Sequence, residues 1–413
     1  MEHDFTTLPE RRGTGSSKWE SMHEDNPCVA SDVVPLSVAD MEFLTPEPIK
    51  AALHRLIDST SLGYTDPTED FFDACIAWQE RRHGWTPDRS WIVTSPGVVP
   101  ALYTAVTAFT KPGDGVIVQP PVYYPFFRAV EQTGRTLVEN PLLRDGTAWT
   151  FDLEGLSEII RTEHPKAIII SSPHNPVGRV WSEEELRGLL AVCDEGGLTI
   201  LCDEIHDDLI MPGYTHTTLL KLATPEQASR IVVCTACSKT FSLAGVQCSV
   251  IFIPSDELRK RFLDAYSAQG HFQLNAFAYP ALIAAYNECE DWLDELIDVI
   301  WGNYLLLRER LDGRLGGLCV HPLEGTYLPW VDFSAWEMPA DIREALLHEH
   351  AQLYLDSGAV FGEGVEAFER FNIACPAWVL DAALDRLEAA YGSDSFDCHG
   401  RGVMLHEVRD QRS

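Results

Sequence analysis

Lys239 is the residue whose surroundings most clearly indicate chemistry. It follows the apolar run "RIVVC" and lies within the segment "CTACSKTFSLAG", residues 234–245. The run has the character of a buried strand, and no acidic residue stands within several positions of the lysine. A lysine beside a core is costly unless its amine is used, so Lys239 is a candidate nucleophile toward a carbonyl group. The alternative is a side chain that packs its stem and extends its amine to water.

Four other segments come directly after apolar strand-like runs and offer different chemistry. "PGVVPAL" enters a helix and presents backbone N–H groups to an anion, "PVYYPF" offers aromatic faces, "PHNPVG" an amide and "DEIHDD" a carboxylate. Ligands of parallel α/β sheets bind beyond the carboxyl ends of the strands, so we expect these groups to converge on one rim. With Lys239 they suit pyridoxal phosphate, whose aldehyde, phosphate, ring and pyridinium nitrogen need an amine, a helix N-terminus, a stacking partner and a carboxylate.

Each of these groups also has an ordinary structural interpretation. The glycine turn can be a plain connection, Asn175 can cap its own turn, and Asp203 can be a helix cap or half of an ion pair. Cys234 and Cys237 form a CxxC, but with no second pair nearby we predict neither a zinc nor a redox site there, and no metal. Only Lys239 leaves a buried strand toward the predicted rim; the seven lysines stand at 18, 50, 111, 166, 221, 239 and 260.

The elements that would position these groups alternate along the chain. Over residues 46–200, short apolar strands such as "DGVIVQP" alternate with helical patterns such as "VVPALYTAVTAF", which predicts βαβ units and a mostly parallel sheet. From about residue 318, strands such as "LCVHP" mix with helices such as "ADIREALLHEHA", which predicts a smaller α+β unit. We predict a large domain over 46–285, a small domain from 1–45 with 286–392, and a polar tail over 393–413.

The composition limits the partners and the compartment. The 413 residues carry a formal net charge of −32, which disfavours nucleic acid and anionic lipid as partners. No stretch approaches the roughly 20 apolar residues of a membrane span, and the N-terminus lacks a signal-peptide pattern. Many of the eleven cysteines lie inside apolar runs, as expected for buried thiols in a reducing cytoplasm. We therefore expect a cytoplasmic protein that acts on a small molecule.

The motifs in their order along the chain resemble those of a known family. "RRGTGSSKWE", "VADMEF", "GYTDP", "PGVVPAL", "PPVYYPFF", "PHNPVGRVW", "DEIHDDL", "SKTFSLAG", "EGTYLPWVDF", "FGEG" and "RFNIACP" occur as in fold-type I pyridoxal-phosphate enzymes of the aminotransferase class I/II superfamily. Within it, the chain is similar to the MalY/PatB subfamily of cystathionine β-lyases. The resemblance implies a three-layer α/β/α large domain with a mostly parallel sheet and a smaller α+β domain.

The same resemblance implies a role for individual residues of the large domain. Lys239 would bind the cofactor covalently, Asp203 would pair with its pyridinium nitrogen, and Asn175 would bind its phenolic oxygen. Tyr123 would stack on the ring. His206 stands near the phenolic oxygen, where many aminotransferases carry a tyrosine. The phosphate would be held by the N–H groups of Val98 and Val99, together with Ser238.

Further residues would bind the substrate or the partner subunit. Arg370 of "RFNIACP" would bind the substrate's α-carboxylate, with Ala39 and Asp40 near that site. Tyr64 would reach the phosphate site of a second subunit, which implies a homodimer with shared active sites. Three positions depart from the family pattern and leave the natural substrate open: Ser37, Cys237 and Ala377.

The implied reaction is α,β-elimination at a carbon–sulfur bond. Such a lyase would cleave L-cystathionine or a related cysteine thioether to a thiol, pyruvate and ammonia. The alternative is an aminotransferase, which would use the same residues up to the removal of the Cα proton. A regulatory protein that keeps the cofactor as a structural ligand is disfavoured, because no extra N-terminal domain precedes the motifs and the net charge of −32 opposes DNA binding.

Overall fold

The computed structural model describes residues 3–391. These residues divide into two compact units. The first contains Leu44–Asp298 and Pro322–Thr326 together with His3, and the second contains Asp4–Phe43, Val299–His321 and the chain from Tyr327 onward. The domain limits predicted from the sequence remain a prediction, and the predicted tail over 393–413 lies outside the described residues.

The first unit is organised around a sheet whose central strands are almost entirely buried. Buried strands of parallel sheets have apolar side chains on both faces, and the runs "AIIIS", "TILCD" and "IVVCT" have that character. The strands of this unit are β1 (Ile92–Ser95), β2 (Gly115–Val118), β3 (Thr136–Glu139), β4 (Leu143–Asp145), β5 (Ala148–Thr150), β6 (Ala167–Ser171), β7 (Thr199–Asp203), β8 (Ile231–Thr235) and β9 (Ser249–Phe252).

Helices connect most of these strands, and several have recognisable start signals. Ser182 and Glu185 form a reciprocal capping box at the start of one helix, and Asp152 accepts a hydrogen bond from Gly155 N–H at another. In chain order the helices are α1 (Ser17–Asp25), α2 (Glu47–Ser59), α3 (Glu69–Trp78), α4 (Val98–Phe109), α5 (Pro125–Glu131), α6 (Leu153–Glu163), α7 (Glu183–Glu195), α8 (Leu219–Leu222), α9 (Pro225–Ala228), α10 (Cys237–Thr240), α11 (Asp256–Ala268), α12 (Ala278–Glu288), α13 (Glu290–Leu311), α14 (Ala340–Leu346) and α15 (Ala377–Tyr391).

The large sheet has the strand order β1-β9-β8-β7-β6-β2-β3. The pairs β2–β3, β2–β6, β6–β7 and β7–β8 are parallel, whereas β9 is antiparallel to both of its neighbours. Since β1 and β8 are both antiparallel to β9, they run in the same direction. The carboxyl ends of β1, β2, β6, β7 and β8 therefore lie at one edge of the sheet. Ligands of such sheets bind at that edge.

The second unit contains a small antiparallel sheet of four short strands in the order β10-β11-β13-β12. Its strands are β10 (Cys319–Val320), β11 (Trp330–Asp332), β12 (Asp356–Ser357) and β13 (Phe368–Arg370). The sequence "RFNIACP" predicts a strand, but this prediction is wrong, because β13 ends at Arg370, the first residue of that stretch, and no strand follows over 371–376. Beyond β13, Asn372 N–H donates to Leu36 O at 2.7 Å, so the backbone leaves the sheet ladder for the N-terminal part of this unit.

Two helices end in a wider turn than their sequences indicate. The pattern "EDFFDACIAWQERRHGW" predicts one helix, but α3 gives way to a π-helical turn over Gln79–His83. A similar turn over Leu347–Ala351 comes after α14. π-Helical turns are frequent at functional sites, and His83 lies at the end of the first one. Among residues 3–391, no helix is long and apolar enough to span a membrane.

Candidate active site

Three of the predicted cofactor residues lie at or just after the carboxyl ends of three adjacent strands. Ser171 at the end of β6 pairs in register with Asp203 at the end of β7, and Asp203 pairs with Cys234 of β8. Asn175 lies four residues after Ser171, and Lys239 lies in α10, just after β8. The parallel register therefore brings the amide, the carboxyl and the amine to one edge of the sheet, as the sequence predicts.

Asp203 has the electrostatic character of a site residue. Its side chain is buried, and burial raises the pKa of Asp203 to about 7. Two groups oppose that rise: Ile205 N–H, which donates to Asp203 Oδ1 at 3.0 Å, and the positive charge of Lys239. A buried carboxyl group whose pKa is raised in this way is well suited to a cationic ligand.

Asn175 and Tyr123 are joined through the backbone. Tyr123 N–H donates to Asn175 O at 3.1 Å, and Asn175 N–H donates to Ser171 Oγ at 3.2 Å. Asn175 is buried, whereas Tyr123 is half-buried and packs its ring against Tyr124 at a centroid distance of 5.4 Å. The aromatic ring after β2 and the amide after β6 thus belong to the same part of the sheet edge.

The N-terminus of α4 offers backbone donors at the same edge. Val98 and Val99 are the first two residues of this 12-residue helix, and Ala101 N–H already donates to Gly97 O at 3.1 Å. The first N–H groups of a helix have no partner inside it and attract anions. Ser238, the second residue of α10, is half-buried next to Lys239. These residues can provide a phosphate site.

Two further residues of the first unit have contrasting surroundings. His206 is 3% exposed and lies three residues after Asp203. Tyr64 is 98% exposed, so it makes little contact with its own chain. That exposure is expected of a residue whose predicted role lies in a second subunit.

The predicted substrate residues lie together in the second unit. Arg370 is 3% exposed at the end of β13, and its guanidinium group lies 4.8 Å from the ring centroid of Phe361. Asn372 donates from Nδ2 to Asp40 O at 2.8 Å. Ala39 is buried and Asp40 half-buried. The structure thus connects the "VADMEF" motif to the segment that carries Arg370.

Two basic residues of "RRGTGSSKWE" contact the same loop. Arg11 forms ion pairs with Asp40 at 2.5 Å and with Glu42 at 3.1 Å, and Lys18 pairs with Glu42 at 2.8 Å. Lys18 and Glu42 are both almost fully buried, so the charge of Lys18 depends on Glu42, and that of Glu42 is balanced by Lys18 and Arg11. The motif "RRGTGSSKWE" therefore has a structural role, because its basic residues hold the chain around Asp40 in place.

Sequence reasoning missed a buried polar cluster beside α10. Asp208 is 4% exposed and accepts hydrogen bonds from Trp78 Nε1 at 3.0 Å and Thr240 Oγ1 at 2.7 Å. His83 Nε2 lies 2.9 Å from Asp208 Oδ1 and 3.6 Å from Asp207 Oδ2. The consecutive acids of "DEIHDD", directly after a buried strand, were the available signal, whereas nothing local distinguishes His83.

The comparisons with known proteins identify the family. The family model for aminotransferase class I and II matches residues 31–387. The chain belongs to the aminotransferase class I and II family. The protein named cystathionine beta-lyase PatB of Bacillus subtilis is 40% identical in sequence to the present chain. The match covers 94% of the present chain and 99% of PatB.

Solved structures agree with this assignment. The crystal structure of cystalysin from Treponema denticola contains a pyridoxal 5'-phosphate cofactor. It matches the present structure with a TM-score of 0.92 and 40% sequence identity, over 94% of the present chain and 99% of the cystalysin chain. The pyridoxal-phosphate-bound C–S lyase from Staphylococcus hominis matches with a TM-score of 0.88 and 28% identity over 95% and 99%. The predicted resemblance to the MalY/PatB subfamily and the predicted fold class are confirmed.

Proposed function

We propose that the protein is a pyridoxal-phosphate-dependent carbon–sulfur β-lyase of the cystathionine β-lyase type. The observation that carries this proposal is the 40% identity to PatB over nearly the whole chain. It is supported by the arrangement of Lys239, Asp203 and Asn175 at the carboxyl ends of three adjacent parallel strands. The substrate is L-cystathionine or a related cysteine thioether, and the products are a thiol, pyruvate and ammonia.

The donor set of the first unit fits pyridoxal phosphate. Asp203 needs a cationic partner because its buried carboxyl group has a pKa of about 7, and a pyridinium N–H is such a partner. Lys239 supplies the amine for the aldehyde, and Asn175 supplies an amide for the phenolic oxygen, near which we also place His206. Tyr123 supplies the stacking ring. The phosphate-binding groups are the N–H groups of Val98 and Val99 and the side chain of Ser238.

The reaction can be derived from the chemistry of these residues. When bound, the cofactor supplies an electron sink for the pair of the broken Cα–H bond. Lys239 would be displaced from the cofactor aldehyde by the amino group of the substrate, and its freed Nζ atom would then take the proton from Cα, while Asp203 would keep the ring nitrogen protonated. Arg370 binds the α-carboxylate, with Ala39 and Asp40 beside it, and so sets which Cα bond is broken. As the Cβ–S bond breaks, the electron pair of the former Cα–H bond forms a double bond between Cα and Cβ, and the thiolate leaves with the pair of the broken Cβ–S bond. The released three-carbon amine then reacts with one water molecule to give pyruvate and ammonia.

The test is incubation of the holoenzyme with L-cystathionine and no keto acid. We expect thiol, pyruvate and ammonia in equal amounts, because elimination needs no second substrate. The Lys239→Ala variant should be inactive, and Lys260→Ala is the matched control, since Lys260 is exposed and pairs with Asp264 at 2.6 Å. Turnover that requires an added keto acid and yields a new amino acid would instead make the protein an aminotransferase.

We further propose a cytoplasmic homodimer with shared active sites. The segment around Tyr64 exposes apolar side chains: Ile57 is 54%, Leu62 56% and Tyr64 98% exposed. Phe272 is 72% exposed, and the neighbouring Gln273 donates from Nε2 to Asp66 Oδ1 at 3.0 Å. Exposed apolar groups gathered in this way are typical of an interface. Most of the cysteines that the structure describes are buried, which suits a reducing compartment.

Shared sites can be tested by mixing two inactive variants. Tyr64→Ala and Lys239→Ala chains, unfolded and refolded together, should regain part of the wild-type activity, because one of the two sites in a mixed dimer contains both Tyr64 and Lys239. Each variant refolded alone serves as the control. Mixed dimers that form but remain inactive would contradict the shared site and leave the lyase activity itself untouched.

A further inference from the structure

Asp356 forms a close charged contact with Arg370. Asp356 of β12 lies directly opposite Arg370 of β13 in the antiparallel register. Its Oδ2 atom accepts from Arg370 Nη2 at 2.7 Å and from Arg370 Nε at 3.2 Å. The side chain of Arg370 is 3% exposed and that of Asp356 is 19% exposed, so little water screens the pair.

The same oxygen of Asp356 also holds the loop that contains Ala39 and Asp40. Val38 N–H donates to Asp356 Oδ2 at 2.9 Å, and Val38 O accepts from Asn372 Nδ2 at 2.6 Å. Val38 has φ +55°, a conformation that β-branched residues rarely adopt. Such a conformation persists only where the surroundings impose it. Asp356 and Asn372 therefore impose the shape of this loop through both polar groups of one strained residue.

The contact with Asp356 also fixes the orientation of the guanidinium group. A carboxylate is bound most strongly by two parallel N–H donors of arginine, and this geometry requires that the guanidinium plane be held in place. Asp356 engages the side edge formed by Nε and Nη2. The end edge, formed by Nη1 and Nη2, is the edge on which a substrate carboxylate would make a bidentate contact.

We propose that Asp356 is a positioning residue for substrate recognition, which fixes both the guanidinium plane of Arg370 and the Ser37–Asp40 loop so that the end edge of Arg370 binds the α-carboxylate of the amino-acid substrate. The proposal rests on the proposed function, in which Arg370 binds that carboxylate. Asp356 does not touch the substrate. It decides how strongly the carboxylate is recognised, even though its own negative charge repels that group.

The experiment compares two substrates of the holoenzyme, S-ethyl-L-cysteine and its α-carboxamide, which differ only in the group that Arg370 would bind. In Asp356→Ala, kcat/KM for the acid should fall about tenfold, as expected for a weakened charge-assisted contact, while kcat/KM for the carboxamide changes little. The preference for the acid therefore falls about tenfold. Asp356→Asn keeps an oxygen acceptor and should lie closer to the wild type. Asp341→Asn, which removes an exposed acid of the same unit, should match the wild type.

Two outcomes would overturn the role of Asp356. One is a preference for the acid that stays constant or rises in Asp356→Ala, because repulsion would then outweigh positioning. The other is an equal loss for both substrates, which a merely structural role would produce.

A parallel binding measurement separates this proposal from the proposed lyase activity. Calorimetric titration with L-alanine and L-alaninamide, which carry no leaving group on Cβ, reports carboxylate recognition without elimination. Wild-type enzyme that binds L-alanine preferentially but releases no thiol from any thioether would refute the lyase and leave the role of Asp356 standing. Loss of the preference in Arg370→Ala, but not in Asp356→Ala, would refute only the role of Asp356.

Discussion

Thr240 donates a hydrogen bond from Oγ1 to Asp208 Oδ2 at 2.7 Å, and Thr240 directly follows Lys239 in the chain. The helix that carries both residues, α10, has only four residues, so its own hydrogen bonds fix its position weakly. Asp208 is anchored in turn by Trp78 Nε1 and His83 Nε2. A buried carboxylate thus ties the segment of the candidate catalytic lysine to α3 and the turn after it.

Replacing Thr240 by valine should destabilise the protein by about 1–3 kcal/mol. The variant keeps the shape of the side chain but removes a donor from a buried carboxylate, and the loss of one partner leaves part of its desolvation cost uncompensated. Urea unfolding measures the change. Thr162→Val is the matched control, because Thr162 Oγ1 donates to Glu158 O on an exposed helix face, and we expect a change within about 0.5 kcal/mol. Equal effects of the two substitutions would contradict the anchoring role of Asp208.

The pairing of His83 with the acids should make stability depend on pH. Burial alone would lower the pKa of His83, but Asp207 and Asp208 outweigh it and raise the pKa from 6.5 to about 9. The folded state therefore holds a proton that the unfolded state releases, so the stabilisation is complete below pH 6.5 and is lost as the pH rises through about 9. The difference in Tm between the wild type and His83→Gln should shrink across that window. His54→Gln, at an exposed position, should show no such trend.

The rim of chemical groups could be predicted because it depends on local patterns. Apolar runs identify the buried strands, and parallel order then places the residues after each strand at one edge, as found for Asn175, Asp203 and Lys239. The pair of His83 and Asp208 could not be predicted in this way. The two residues are 125 positions apart, and which buried acid meets which histidine is decided by tertiary packing.

The contact between Asp356 and Arg370 was unpredictable for a related reason. Strand β12 has only two residues, too few to show the alternation that identifies a strand. The apolar stretch "GTYLPWVDF" predicts one strand, but β11 begins only after Pro329, which has no N–H to donate to a ladder. The register of such short strands is set by the neighbouring strands, so a single sequence shows no residue pattern that identifies them.

Labelling should identify Lys239 as the lysine that binds the cofactor. Reduction of the holoenzyme with borohydride, followed by peptide mapping, should place the pyridoxyl group on the peptide that contains Lys239. Other lysines have occupied amines: Lys18 pairs with buried Glu42, and Lys221 donates from Nζ to His83 O at 3.2 Å. In Lys239→Arg the label should disappear. A pyridoxyl group on a different peptide of the wild type would refute the assignment.

Asp203→Asn should stabilise the protein freed of cofactor and weaken cofactor binding. Burial raises the pKa of Asp203 from 3.8 in the unfolded chain to about 7 in the folded protein. Between these pH values the folded state keeps a proton that the unfolded state has released, so the free energy of unfolding falls as the pH rises through them. Asparagine does not ionise and carries no such cost. At pH near 8, the free energy of unfolding of the cofactor-free variant should therefore exceed that of the wild type by up to about 4 kcal/mol, and this difference should vanish toward pH about 4. Cofactor affinity should fall at least about tenfold, because the pyridinium nitrogen loses its charged partner. Thermal unfolding across pH and titration with pyridoxal phosphate measure the two effects, with exposed Asp73→Asn as the control. A stability gain that is independent of pH, or an unchanged affinity, would show that Asp203 does not carry the buried charge that binds the ring.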